Sequence, residues 1–271
     1  MKNLSRRFAR TMAAVGLMAL AGAFTFNASA QTPGKAQQAK PTIVLVHGAF
    51  AESSSWDGVI RKLEAKHYPV IAAANPLRGV KSDAADVASI VDAVKGPVVL
   101  VGHSYGGSVI SSAATGKSNV KALVFVAAFA PEAGESAADL AGKFPGSTLG
   151  PALAPPVALA DGGKDLYILK NRFHDQFAAD VPAAAARLMA ATQRPIAESA
   201  LGEPAGAPAW KTVPSWFVYG DADKNIPPAA QAFMAERARS VKTVVVKGAS
   251  HVVMTSRPEV VAKLIDEAAS R

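Results

Sequence analysis

Three residue types in this chain could do chemistry together. A serine sits in Gly102-His103-Ser104-Tyr105-Gly106, two aspartates sit in Asp221-Ala222-Asp223, and a histidine ends Gly248-Ala249-Ser250-His251. A serine hydroxyl is a weak nucleophile unless a neighbouring base takes its proton. Histidine suits that task near neutral pH, and an acid behind it fixes the tautomer and stabilises the cation. Ser104, an aspartate and His251 are therefore candidates for acyl transfer. The competing reading makes Ser104 a helix cap and His251 a packing histidine. Of the two acids, Asp223 is the better placed. In Gly-x-x-Asp after a strand the carboxylate lies beyond the turn, whereas Asp221 suits local N–H groups. The other histidines compete poorly. His103 adjoins Ser104 and must diverge from it, His47 belongs to an earlier loop, His67 precedes a strand at its opposite end, and His174 lies in a Pro-, Gly- and Ala-rich stretch. An oxyanion would need two N–H donors. Tyr105, just after the serine, should supply one, and Ala49 or Phe50 the other.

These residues need elements to aim them. "TIVLV" (42–46), "YPVIAA" (68–73), "PVVLVG" (97–102), "VKALVFVAA" (120–128), "SWFVYG" (215–220) and "VKTVVV" (241–246) read as short buried strands. Helical spacing fills 53–66, 82–94, 105–115, a stretch near 228–239, and 258–270. Strands apolar on both faces, alternating with helices, predict the α/β class: a doubly wound, mostly parallel sheet. Such sheets bind ligands at the carboxyl ends of their strands, which is where Ser104, Asp223 and His251 fall. A strand enters the serine turn and a helix leaves it, so Gly102 and Gly106 should be required by close backbone neighbours. The rhythm stops over 131–209, which reads as a small helical excursion inserted between two strands. Its aromatics (Phe144, Tyr167, Phe173, Phe177), with Phe129, His174 and Trp210, are candidates to line a substrate pocket. Phe129, Phe173, His174 and Trp210 are the ones expected to touch substrate.

Composition narrows the partners. The 271 residues are 50% hydrophobic and 18% charged, enough for one domain with a substantial core, expected over 41–271. Residues 1–30 read as a secretory signal peptide: four basic residues, the apolar run "TMAAVGLMALAGAFTF", and Ala28-Ser29-Ala30 as a cleavage site. The run falls short of the ~20 residues of a span. Phe8 sits one place too early for a twin-arginine signal, so the general secretory route is expected. Residues 31–40 read as a flexible linker. The leader carries four positive and no negative charges, so the net +8 falls to +4 without it. No basic cluster remains, and no nucleic-acid role is expected. Absence of cysteine excludes disulfides, cysteine nucleophiles and thiolate metal sites. No cofactor or metal is expected, the partner is a small-molecule ester, and the oligomeric state is open.

"LVHGAF", "GHSYGG", "YGDADKNIP" and "GASHVVM" resemble the α/β-hydrolase superfamily. The resemblance runs from about residue 42 to the end, except for the excursion, which corresponds in position to a lid. Within the superfamily, "VHGAF" followed by Trp56, and "HVVMTSRPE", are similar to the branch of small esterases, methylesterases and hydroxynitrile lyases. By position it implies triad roles for Ser104, Asp223 and His251. Haloalkane dehalogenases and epoxide hydrolases carry an aspartate where this chain has Ser104. Plant-type hydroxynitrile lyases carry Thr and Lys where it has Gly48 and Val252. The expectation is an exported serine hydrolase of small carboxylic esters or lactones. The alternatives are a binding protein on the same fold, a cofactor-free haloperoxidase or perhydrolase, and a lyase.

Overall fold

The computed structural model describes residues 40–271, so the signal peptide and all of the linker but Lys40 lie outside the described residues. The chain alternates from its start: β1 (Thr42–Val46), α1 (Asp57–Glu64), β2 (Val70–Ala73), α2 (Val80–Ala93), β3 (Val98–His103), α3 (Gly106–Ala113) and β4 (Val120–Val126). After a long excursion it resumes with β8 (Ser215–Gly220), α9 (Pro228–Arg237), β9 (Lys242–Val246), α10 (Val253–Ser256) and α11 (Pro258–Ala269). The six strands form one sheet in the order β2-β1-β3-β4-β8-β9, with every pairing parallel. Parallel pairing requires crossover helices, and the helices cover the faces, so the central strands must be apolar on both sides. β3 and β8 are buried at every position. Phe125 of β4 and Phe217 of β8 stack at 4.6 Å between centroids.

The edges depart from the expectation of buried strands. β2 leaves Ile71 36% exposed and β9 leaves Val245 54% exposed, because each outer strand has a neighbour on one side only. Several boundaries also move, two of them for a visible local reason. β4 ends at Val126 rather than residue 128, because Ala127 turns into the left-handed region (φ +44°). α2 begins at Val80, where the Asp83 carboxylate accepts the Arg78 N–H and ties down the entering chain.

The excursion lies between β4 and β8. It holds α4 (Ala137–Lys143), α5 (Leu149–Ala152), β5 (Val157–Ala158), β6 (Lys164–Leu166), α6 (Lys170–Phe177), α7 (Ala183–Thr192), β7 (Ile196–Ala197) and α8 (Glu198–Gly202). It is therefore not purely helical: β5, β6 and β7 make a second, antiparallel sheet. Strands of two or three residues are too short for an alternating pattern to register. The excursion is clamped to the loop between β2 and α2 by the Arg78–Asp165 ion pair (2.6 Å) and by the Ala197 N–H on the Leu77 carbonyl (3.0 Å). Among the described residues no helix is long and apolar enough to cross a membrane.

Candidate active site

The turn between β3 and α3 is forced by close packing. A Cβ on Gly102 would lie 2.5 Å from the Gly106 carbonyl oxygen, and one on Gly106 would lie 2.5 Å from that of Val46. Side chains are excluded at both places, so the backbone can fold back on itself between them. Ser104 sits at φ +54°, a region disfavoured for any residue with a Cβ. Its carbonyl accepts the Gly107 N–H (2.9 Å) and the Phe129 N–H (3.1 Å), which hold that geometry. Tyr105, not Ser104, is the N-cap of α3, and no side chain caps it. The Ser104 hydroxyl is thus free of the helix. The Tyr105 hydroxyl donates to buried Asp83 at 2.9 Å and pins the turn to α2. Burial, with that carboxylate beside it, raises the Tyr105 phenol, so it stays a donor. Asp83 is itself raised by burial, against the hydrogen bonds it accepts.

Ser104 Oγ lies 2.9 Å from His251 Nε2, and His251 Nδ1 lies 2.7 Å from Asp223 Oδ2. All three residues are buried. A carboxylate only accepts, so Nδ1 carries the proton and Nε2 faces the serine as the basic nitrogen. Asp223 is held on every side. Its Oδ1 accepts the N–H groups of Asn225 (2.8 Å) and Ile226 (3.0 Å), and its Oδ2 also accepts from Gln231 Nε2 on α9 (2.9 Å). Asp221 is exposed and its carboxylate accepts the Gly248 N–H at 2.6 Å, while the imidazole is paired with Asp223.

Neighbouring histidines brace this chain without joining it. His103 Nε2 donates to the His251 carbonyl at 3.2 Å, and the two rings lie 4.8 Å apart. Burial, with His251 beside it, holds the His103 imidazole well below its ordinary value. His47 Nδ1 donates to the Gly48 carbonyl (3.0 Å) while its Nε2 accepts the Asn75 N–H (3.1 Å), fixing the loop after β1. Burial lowers His47 as well. On the other side, the Ser250 hydroxyl donates to Asp180 at 2.5 Å, tying the histidine loop to the excursion.

The two amide candidates after β1 separate cleanly. The Phe50 N–H is already given to the Arg194 carbonyl at 2.9 Å, so Phe50 is corrected as a donor. Among the described residues the N–H groups of Ala49 and Tyr105 have no acceptor. Phe50 keeps a different place, in the wall of the cavity.

That cavity encloses about 70 Å³ of water-accessible volume beside Ser104 and His251. Ala49, Phe50, Tyr105 and Phe129 form its sheet side. Ala137, Ala138 and Ala141 of α4, with Leu149 and Leu201, form its excursion side, and Asn225 and Ile226 complete it. Three of the four expected substrate contacts (Phe173, His174 and Trp210) need correction, as do Phe144, Tyr167 and Phe177 as lining, since none of these six borders the cavity. Phe173 is buried against Phe177, with ring centroids 5.0 Å apart. His174 donates Nε2–H to the Val181 carbonyl (2.9 Å). Trp210 donates its indole N–H to the Pro131 carbonyl (3.0 Å). Phe177 packs edge-on to Phe50 and His251, and Phe144 packs on Phe233. These aromatics hold the excursion to the sheet, and small side chains face the cavity. Among the described residues no three His, Asp or Glu side chains gather as a metal site.

Comparison with known proteins agrees with this architecture. A model described as the alpha/beta hydrolase family matches residues 43–264. "Alpha/beta hydrolase nvfD" of Aspergillus novofumigatus (strain IBT 16806) is 26% identical over 250 residues, covering 85% of this chain and 97% of that protein. The structure of polyneuridine aldehyde esterase superposes with a TM-score of 0.73 at 19% identity, covering 84% of this chain and 99% of that one. A pyrethroid hydrolase from Sphingobium faniae JZ-2 superposes with a TM-score of 0.67 at 23% identity, covering 85% and 97%.

Proposed function

We propose, from the premise that this chain belongs to the alpha/beta hydrolase family, that it hydrolyses small carboxylic esters, lactones included, through Ser104, His251 and Asp223. The observation that carries this is the unbroken contact from serine through imidazole to carboxylate, opening on a small apolar cavity. Ser104 Oγ adds to the ester carbonyl carbon while His251 Nε2 takes its proton. The Ala49 and Tyr105 amides bind the resulting oxyanion, each donor supplying a few kcal/mol. The carbon–oxygen bond to the alcohol then breaks, and the alcohol leaves with the proton from His251. Water adds to the acyl-enzyme, giving its proton to the same nitrogen. Ser104 departs with that proton as the carboxylic acid is released. Likeness to an esterase and to a pyrethroid hydrolase supports the reading.

Ser104→Ala should abolish turnover of a simple activated ester, and wild type but not the variant should label with a fluorophosphonate. Equal turnover by the two proteins would sink the assignment. We also read the protein as exported, on the basic and then apolar character of residues 1–30. A mature chain beginning at Gln31 outside the cytoplasm tests that, and a full-length cytoplasmic product refutes it.

A further inference from the structure

Asn225 borders the cavity together with Ser104 and His251, and only 4% of its surface is exposed. Its polar atoms can be assigned one at a time. Gln176 Nε2 lies 3.0 Å from the Lys224 carbonyl oxygen and 2.7 Å from Asn225 Oδ1. A backbone carbonyl only accepts, so that end of Gln176 is its amine, and the same amine donates to Asn225. The oxygen end of Gln176 agrees, accepting the Thr148 hydroxyl at 2.8 Å. Asn225 must therefore turn its oxygen to Gln176. Its backbone N–H is committed to Asp223. What remains is the Nδ2 amine with two protons. Among the described residues it has no acceptor, and it is not sealed from open space, which at this residue is the cavity.

The rest of that wall is Ile226, Leu149 and the alanines of α4. A neutral donor fixed in an apolar wall favours ligands that accept from it, because a ligand that cannot leaves the amine desolvated and unpaired. We infer that Asn225 is a specificity residue, selecting esters with a second hydrogen-bond acceptor (a keto, ether or hydroxyl oxygen) beyond the scissile group. This rests on the proposal that Ser104 is acylated by an ester. The selectivity is set from the excursion, since Gln176 on α6 decides which end of Asn225 faces the substrate.

Matched esters test it. Methyl esters with a ketone at carbon 3, 4 or 5 are each paired with the methylene counterpart, and 2-methoxyethyl esters are paired with butyl esters. In wild type, kcat/KM should favour the acceptor-bearing member at one or more positions by about tenfold, mainly through KM. Calorimetry on Ser104→Ala should give the same preference in Kd, with no turnover needed. Asn225→Leu should bring the ratio to within about twofold. Asn225→Asp keeps the shape and the oxygen toward Gln176 but removes both protons, and it should also lose the preference. The role of Asn225 is overturned if no pair differs more than about threefold in wild type, or if the preference survives in either variant. Failure of the hydrolase reading looks different: Ser104→Ala would turn over every ester as fast as wild type, while the Kd ratio would still test Asn225.

Discussion

On the sheet side of the cavity, Ser104, His251 and Asp223 each sit just past a strand end, fixed by glycines or by several hydrogen bonds. On the excursion side, the wall is mostly Ala137, Ala138, Ala141, Leu149 and Leu201, which carry no side-chain polar group. The first wall carries a hydroxyl, an imidazole and a carboxylate in contact; the second, apart from Asn225 at its border, offers shape. Changes on the first side should therefore act on kcat for every substrate. Changes on the second should redistribute kcat/KM among substrates. The two aspartates after β8 bring the largest expected effect. Asp223→Asn leaves the shape but presents an amide to His251 Nδ1, disturbing the tautomer, and kcat should fall on the order of 10⁴-fold. Asp221→Asn, which touches only the Gly248 N–H, should cost less than about threefold. Steady-state kinetics on one ester decides, and comparable losses in both variants would remove the distinction between a catalytic and a turn aspartate.

The same side should also respond to pH through its bracing histidine. Burial, with His251 beside it, holds His103 well below its ordinary value of 6.5, so the native state leaves it neutral where the unfolded chain would protonate it. The sign follows. The stabilisation is complete above about pH 6.5 and is lost as pH falls below that value toward the depressed folded pKa. One such group contributes a slope of at most about 1.4 kcal/mol per pH unit. His103→Gln keeps a donor for the His251 carbonyl and removes the titration. Urea unfolding of wild type and variant at pH 7, 6 and 5 should show a shallower decline in the variant. Parallel declines would mean that His103 does not titrate on unfolding.

The sheet was legible because its central strands are apolar on both faces and end at residues with chemistry. "VVLV" running into Gly102 marks both a buried strand and the turn after it. The edges were less so: Val70–Ala73 and Lys242–Val246 have strand composition, yet composition does not say that one flank lacks a neighbour. The contact of Ser104, His251 and Asp223 was legible from position, because each residue follows a strand of the one sheet. The site was not legible where the meaning comes from a partner far along the chain. Nothing local to Phe50 says that Arg194 takes its N–H, and nothing local to Asn225 says that Gln176 takes its oxygen. Aromatic residues in the excursion suggested a pocket, but large rings were needed more as anchors, and Phe173 and Trp210 went there. Alanines leave no chemical trace, so nothing in "AADLAGK" marks it as bordering the cavity.

Changes in that silent helix should cost the least activity. Ala141 is partly buried on α4 and reaches the cavity one helical turn after Ala137, so both present the same face. Ala141→Leu adds three carbons to a space of about 70 Å³ without altering any hydrogen bond to Ser104, His251 or Asp223. A methylene-sized change in an apolar pocket is worth roughly tenfold or more in discrimination. Across a series of acyl and alcohol chain lengths, the ratio of kcat/KM for the longest accepted ester to that for methyl acetate should fall about tenfold. The loss should appear on one side of the ester only, acyl or alcohol, and so reveal which part of the substrate lies under α4. An equal fall for all esters would mean that the excursion controls the chemistry as well as the fit, and the two walls would then no longer be separable.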